Sequence, residues 1–207
     1  MDKRSLILNA AEELFAERGF DGTSVRDIAH LAGVNLAMIS YYFGSKEKLI
    51  EALVEYRSGY TTGVLEELAE DENLDPLGKV YKLIDFYVDR IFLNHRFHNI
   101  ITRSFSTVNT LELKESIIRV KERNLVHIRK ILEDGEKKGV FRKVDIEMTI
   151  GSIFGTITQM TLSKDFYCRI FGWVSTGPNE YTPELADRLK VHLKDMITAH
   201  LHINTQK

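Results

Sequence analysis

The feature that most constrains this chain is a spacing of three residues: Ala29, Gly33 four positions on, and Ile39 six positions beyond that. A small side chain such as Ala29 lets a second helix cross the first closely. A glycine adopts the left-handed backbone that a sharp turn requires. A branched apolar residue such as Ile39 packs the second helix back onto the first. Together these are the packing demands of two short helices joined by a tight turn. The flanking residues agree. Thr23 and Ser24 offer hydroxyl caps, and Ser24 with Asp27 approximates a capping box. Val25, Ile28 and Ala29 then point one way over two turns, and Asn35 can cap the helix that follows.

Outside this segment, apolar residues recur at helical spacing and only three prolines occur in 207 residues. Leu6, Ile7, Ala10, Ala11, Leu14 and Phe15 form one face of a first helix, which Gly19 stops. Val80, Leu83, Ile84, Tyr87, Val88, Ile91 and Phe92 form another stripe, opened by Asp75-Pro76. Ile118, Leu125, Ile128 and Leu132 mark a long helix ending at Lys137-Lys138-Gly139. Leu185, Leu189, Leu193, Met196, Ile197 and Leu201 line a last helix opened by Thr182-Pro183. No stretch alternates with period two. The reading is all-α with about nine helices: a three-helix domain over residues 1–48, with the helix-turn-helix at about 25–43, and a larger helical domain over 49–207. One irregular stretch, rich in aromatics and glycine, is expected at about Asp165 to Pro183.

Composition narrows the class by exclusion. The formal net charge is −2, so no strong global field draws the chain to nucleic acid or membrane. Residues 1–50 carry six Lys or Arg against seven Asp or Glu, a net charge of −1, with the acids expected on the outer face of the first helix. The single cysteine, Cys168, rules out an intrachain disulfide framework and suits a reducing cytoplasm. The start of the chain turns amphipathic at once, without a signal peptide's apolar core. The longest charge-free stretch, Met148 to Ser163, is 16 residues long and holds seven Ser, Thr or Gln, which suits a buried helix better than a membrane span. There is no nucleophile motif, phosphate loop or hydrolase signature, so no catalytic residue and no cofactor is expected. His95 and His98, and His192 with His200, lack a third ligand at tight spacing, so no metal site is expected.

Residues 20–29 (FDGTSVRDIA), 32–35 (AGVN) and 41–49 (YYFGSKEKL) together resemble the TetR family of regulators. The likeness covers most of one fifty-residue domain, and the trailing Tyr-Tyr-Phe-Gly-Ser-Lys makes it specific. Beyond it, only length, helicity and the Gly-Val-Phe-Arg-x-Val-Asp turn at 139–145 match. The resemblance implies DNA contacts at Asn35, Leu36, Ala37, Tyr41, Tyr42 and Lys46. Physical chemistry adds Thr23 or Ser24, whose hydroxyl and backbone N–H at a helix start can meet a phosphate. Arg26 can reach the backbone or a groove edge, and Met38 with Leu36 can touch thymine methyls. Two positions depart from the family pattern, since relatives often carry a basic residue where Leu36 stands and a tyrosine where Ser40 stands. Base reading is therefore expected to lean on apolar contacts, Asn35 and Tyr41, and phosphate anchoring on Ser24, Tyr42 and Lys46.

The resemblance also implies a homodimer through the last two helices of each subunit. Gly151 and Gly155, with Leu185, Leu189, Leu193, Met196 and Ile197, are the candidate interface residues. A ligand pocket among the middle helices would draw on Tyr81, Phe86, Tyr87, Phe105, Phe154, Met160, Phe166, Tyr167 and Trp173, with each residue open to the plainer reading as core. Arg103, with Arg90 and Arg96, could meet an anionic group. The expected partners are a palindromic double-stranded DNA operator, a small apolar or aromatic effector and a second copy of the chain, with no membrane. Control by a protein partner without an effector, activation instead of repression, and a helical enzyme or carrier with a vestigial reading head are the alternatives.

Overall fold

The computed structural model describes residues 2–93, 97, 100, 111–172 and 183–202. Among these residues the chain is helical throughout, without strands: α1 (Lys3–Arg18), α2 (Val25–Ala32), α3 (Leu36–Phe43), α4 (Lys46–Glu70), α5 (Pro76–Leu93), α6 (Leu111–Lys137), α7 (Ile146–Leu162), α8 (Lys164–Phe171) and α9 (Pro183–Leu201). Among the described residues this is the expected all-α architecture of about nine helices. The first part of the stretch expected to be irregular is instead α8, which ends at Gly172 in a left-handed conformation. Residues 173–182 lie outside the described residues.

Two compact units share the chain, one built from residues 1–63 and 96–124, the other from 64–95 and 125–207. In the first, Ile7, Leu8, Ala11, Leu14 and Phe15 of α1 meet Ile28 and Ala29 of α2, Ile39 and Phe43 of α3, and Leu49, Ile50 and Leu53 of α4 in one core. Leu113, Ile117 and Val120 of α6 join it. The buried stripe of α6 therefore runs one position off the expected one here, and Ile118 is exposed. The second unit has its own core. Val80, Ile84 and Val88 of α5, Ile128, Ile131 and Leu132 of α6, Ile157 of α7 and Leu185, Leu189, Leu193 and Ile197 of α9 fill it. Asp85 pairs with Lys194 at 2.7 Å, and Asp89 with Lys190 at 2.5 Å, along the outer seam of α5 and α9.

One correction concerns α1. The sequence places Glu12 on the outer face with the other acids. In the fold it is buried, and its carboxylate accepts from Arg57 of α4, whose guanidinium also donates to Asn9. Its place between Leu8 and Phe15 in the helical register puts it on the apolar stripe, where a carboxylate needs a partner.

Candidate nucleic-acid interface

The turn between α2 and α3 is built as the spacing requires. Gly33 takes φ 63° and ψ 37°, and its N–H and that of Val34 close onto the last carbonyls of α2. The start of α2 carries the full capping box. Asp27 N–H donates to Ser24 Oγ at 3.2 Å, and Ser24 N–H donates to the Asp27 carboxylate at 3.0 Å. The Ser24 hydroxyl also donates to that carboxylate at 2.6 Å. These bonds hold the Asp27 carboxyl below its ordinary range. Asn35 Oδ1 caps α3 by accepting from Ala37 N–H at 3.0 Å, which leaves the carboxamide nitrogen for another partner.

On α3, Ile39 and Phe43 are buried and hold the helix to the core. The opposite side presents Asn35, Leu36, Ala37, Ser40, Tyr41 and Tyr42 to solvent. Tyr41 is 83% exposed, an unusual placement for a large aromatic ring without a ligand to meet. Its ring packs edge-on against Tyr42 at 5.1 Å, so both phenols stand on one rim. Met38 packs partly against the core, so only part of its side chain reaches the outer face. Ser24 and Arg26 are exposed at the start of α2.

Two candidates have their polar atoms turned to the fold. Thr23 is 1% exposed, and its hydroxyl lies 3.1 Å from the Leu14 carbonyl and 2.8 Å from that of Gly19. It fastens the corner between α1 and α2, which leaves Ser24 as the surface hydroxyl. Lys46 donates from Nζ to the carbonyls of Phe20 at 2.9 Å and Thr23 at 3.1 Å, with its ammonium over the Phe20 ring. Two of its three donors are thereby spent on positioning the 20–23 loop against α4.

Residues 7–53, from α1 into α4, match the family model described as "Bacterial regulatory proteins, tetR family". The chain belongs to the TetR family. It is 36% identical over 138 residues to YttP of Bacillus subtilis, named as a probable HTH-type transcriptional regulator, an alignment spanning 64% of each chain. It is 32% identical over 140 residues to NicS of Pseudomonas putida, named as an HTH-type transcriptional repressor, spanning 67% of this chain and 66% of NicS. The chain thus spans just under two thirds of both relatives. The structure of FadR from Bacillus subtilis in complex with stearoyl-CoA superposes with a TM-score of 0.76 over 96% of this chain and 99% of that one. At 23% identity this is a likeness of fold.

The second unit holds a small cavity of about 30 Å³. Its walls are chiefly aliphatic, including Val80, Ile84, Ile128, Ile150 and Ile153, with Tyr87 and Phe154 as the aromatic members. Those two rings meet edge-on at 4.6 Å, and burial pushes the Tyr87 phenol far above its ordinary range. Thr149 is the polar member of the wall. Its hydroxyl donates to the Asp145 carbonyl at 2.7 Å and therefore accepts from His200 Nε2 at 2.9 Å. Arg142 donates to the other ring nitrogen at 3.3 Å. Of the remaining pocket candidates, Tyr81 and Met160 pack on the core without lining the cavity, and Tyr81 bonds Thr198 at 2.7 Å. Phe86 is half-buried, with its ring edge-on to Tyr87. Phe166 is 59% exposed and does not line this cavity, and its ring meets that of Tyr167 edge-on at 5.2 Å. Arg103, Phe105 and Trp173, with Arg96, His95 and His98, lie outside the described residues.

The interface candidates divide. Gly151 and Gly155 are exposed on α7, with open space where a side chain would stand. Met148, Ser152, Gln159 and Leu162 are exposed on the same helix. Leu185, Leu189, Leu193 and Ile197 are instead buried in their own unit's core, and Met196 packs against it. The stripe of α9 is thus covered within its own unit. Among the described residues no cluster of three or more His, Cys, Asp or Glu could hold a metal, and no helix is long and apolar enough to cross a membrane.

Proposed function

We propose that the protein is a homodimeric, DNA-binding transcriptional repressor that a small apolar effector releases from its operator. One observation carries the DNA-binding part. A helix of eight residues is anchored by Ile39 and Phe43 and turns Leu36, Ala37, Ser40, Tyr41 and Tyr42 outward behind a glycine turn. Asn35 and Tyr41 supply polar contacts to base edges, Leu36 and the exposed part of Met38 meet thymine methyls, and Ala37 permits close approach. Ser24, Arg26, Tyr42 and the remaining donor of Lys46 meet phosphates. NicS, a repressor by name, supports this sense of regulation.

A dimer sets two α3 helices about one turn of DNA apart, ~34–36 Å, to read a palindrome. The outer face of α7 around Gly151 and Gly155, where Met148, Ser152, Gln159 and Leu162 are exposed, is the surface suited to a second copy. The effector site is the aliphatic cavity, so the ligand is a flexible apolar molecule and the walls part to admit it. FadR, a protein of the same fold, holds an acyl chain in stearoyl-CoA. The link to the reading head is covalent, because α4 is a single helix from Lys46 to Glu70.

Selection of duplexes from a random pool with the full chain tests the proposal. The expected product is a palindromic consensus that Tyr41→Ala no longer retains at unchanged helicity. Random recovery overturns it. With the consensus in hand, a panel of alkyl and aromatic compounds should contain members that lower operator affinity. Ile153→Trp, which fills the cavity, should abolish that response.

A further inference from the structure

We infer that Arg4, at the start of α1, is a phosphate anchor at the C-terminal end of the reading helix, a role that neither the spacing of the motif nor the family likeness assigns to it. The inference rests on the proposed DNA-binding function and adds a contact to it. The cations of the first fifty residues number six: Lys3, Arg4, Arg18, Arg26, Lys46 and Lys48. With seven acids beside them, any DNA affinity must come from the few that face the duplex. Lys46 spends two donors on loop carbonyls. Lys48 is paired with Glu51 at 2.9 Å. Arg18 acts on the capping carboxylate of Asp27.

Arg4 differs. Its guanidinium lies over the Phe43 ring, 5.5 Å from the centroid, within the range of a cation–π contact. Phe43 is the last residue of α3, and its ring packs against Tyr42 at 6.2 Å, which packs against Tyr41 at 5.1 Å. A run of groups in contact thus leads from the two exposed phenols to the guanidinium. Arg4 is exposed and, among the described residues, has no ion-pair partner. A guanidinium lying on a ring keeps its N–H edges for a planar acceptor, and a phosphate accepts such a fork with two oxygens.

The placement is also unexplained by α1 itself. A cation in the first turn opposes the helix dipole. Asp2 already caps this end, accepting from Ser5 N–H at 2.9 Å. A basic side chain here, held against the end of the reading helix, makes sense as a ligand for an anion on the outer face. The anion is a backbone phosphate flanking the bases that α3 reads, shared with the Tyr42 phenol.

The test measures operator affinity against potassium chloride concentration, using a synthetic duplex of the selected consensus. It compares the full chain with Arg4→Ala, Arg4→Lys and Phe43→Leu. Each phosphate contact contributes about 0.9 to the slope of log affinity against log salt, so Arg4→Ala should flatten it by about 1.8 for a dimer. The consensus recovered by selection should stay the same, since a phosphate contact carries no sequence. Arg4→Lys should keep the slope but bind several-fold more weakly, because an ammonium lacks the fork. Phe43→Leu should shift the slope toward that of Arg4→Ala. A merely structural Arg4 would lower melting temperature and leave the slope of the folded protein unchanged. An unchanged slope in Arg4→Ala, with the wild type still retaining its palindrome, overturns this inference alone. A wild type that retains no sequence overturns the proposed function and this inference with it.

Discussion

Helices α3 and α9 are both rich in apolar residues, and the fold treats them oppositely. In α3 the two buried positions, Ile39 and Phe43, are four apart, Met38 packs partly beside them, and Leu36, Ala37, Tyr41 and Tyr42 face outward. In α9 a full stripe from Leu185 to Leu201 is buried in its own unit, leaving Glu184, Arg188, Val191, His192, Asp195 and Ala199 outside. The difference lies in what each helix is tied to. A helix of eight residues between a glycine turn and a second glycine, Gly44, has its orientation set by its neighbours. A helix of 19 residues with one wide stripe can satisfy it against its own chain or a second copy, and local spacing does not decide between them.

The largest expected effect is that of Leu193→Ala. Leu193 is fully buried in the second unit, and truncating such a residue costs about 2–5 kcal/mol through reduced burial and the cavity left behind. The loss should be equal at low and high protein concentration in denaturant titrations. A penalty that shrinks as the chain is concentrated would return Leu193 to the dimer interface.

Tyr41→Ala is the counterpart on α3. With 83% of Tyr41 exposed, its removal should change folding stability by less than about 0.5 kcal/mol. Binding to the selected duplex should weaken by about 1–3 kcal/mol for each base edge that the phenol no longer meets. Calorimetry of the free chain and a titration of the duplex separate the two effects. A large loss of stability with unaltered binding would make α3 a second α9.

Next in size is Gly33→Ala. No atom lies within 4 Å of where its Cβ would stand, so the cost is that of holding alanine at φ 63°, about 1–2 kcal/mol. Gly33→Asn should recover part of it, since asparagine tolerates the left-handed region better. Equal melting temperatures for glycine and alanine would mean that the turn does not require this conformation.

These cases mark what can be read from the sequence. The expected helix-turn-helix at 25–43 corresponds to α2 and α3 because caps, glycine turn and packing residues all lie within twenty positions of one another. Gly33, Ser24 with Asp27, and Asn35 behave as their chemistry dictates at short range. What escapes such a reading is settled by residues distant in the chain. Lys46 reaches the Phe20 carbonyl 26 positions away, and Arg57 the buried Glu12 45 positions away. Only Glu12 leaves a trace, a carboxylate in register with Leu8 and Phe15 on an apolar stripe. The cavity wall is hard to read from sequence for a related reason. Aromatic residues are the expected lining, yet the cavity wall is mostly valine, leucine and isoleucine, whose role as core or wall depends on how closely neighbouring helices pack.

The smallest effect tests whether the reading head's order is truly local. Ser24→Ala removes the α2 cap and should cost about 1 kcal/mol at neutral pH. The partner in the box is Asp27, whose carboxyl is held below its ordinary range first by the Ser24 hydroxyl and then by the Ser24 N–H. A group with a depressed folded pKa stabilises the fold above its unfolded value, and the benefit is lost as pH falls through the folded value. The stability gap between wild type and Ser24→Ala should therefore hold from neutral pH down to about 4 and narrow on further acidification, once Asp27 takes up its proton and only the bond from its backbone N–H to the Ser24 hydroxyl remains. Ser24→Asp would keep a cap but set two carboxylates side by side, so its stability should rise on acidification where that of the wild type falls. A gap between wild type and Ser24→Ala that stays constant through this range would mean the cap works through the hydroxyl alone, with Asp27 a bystander.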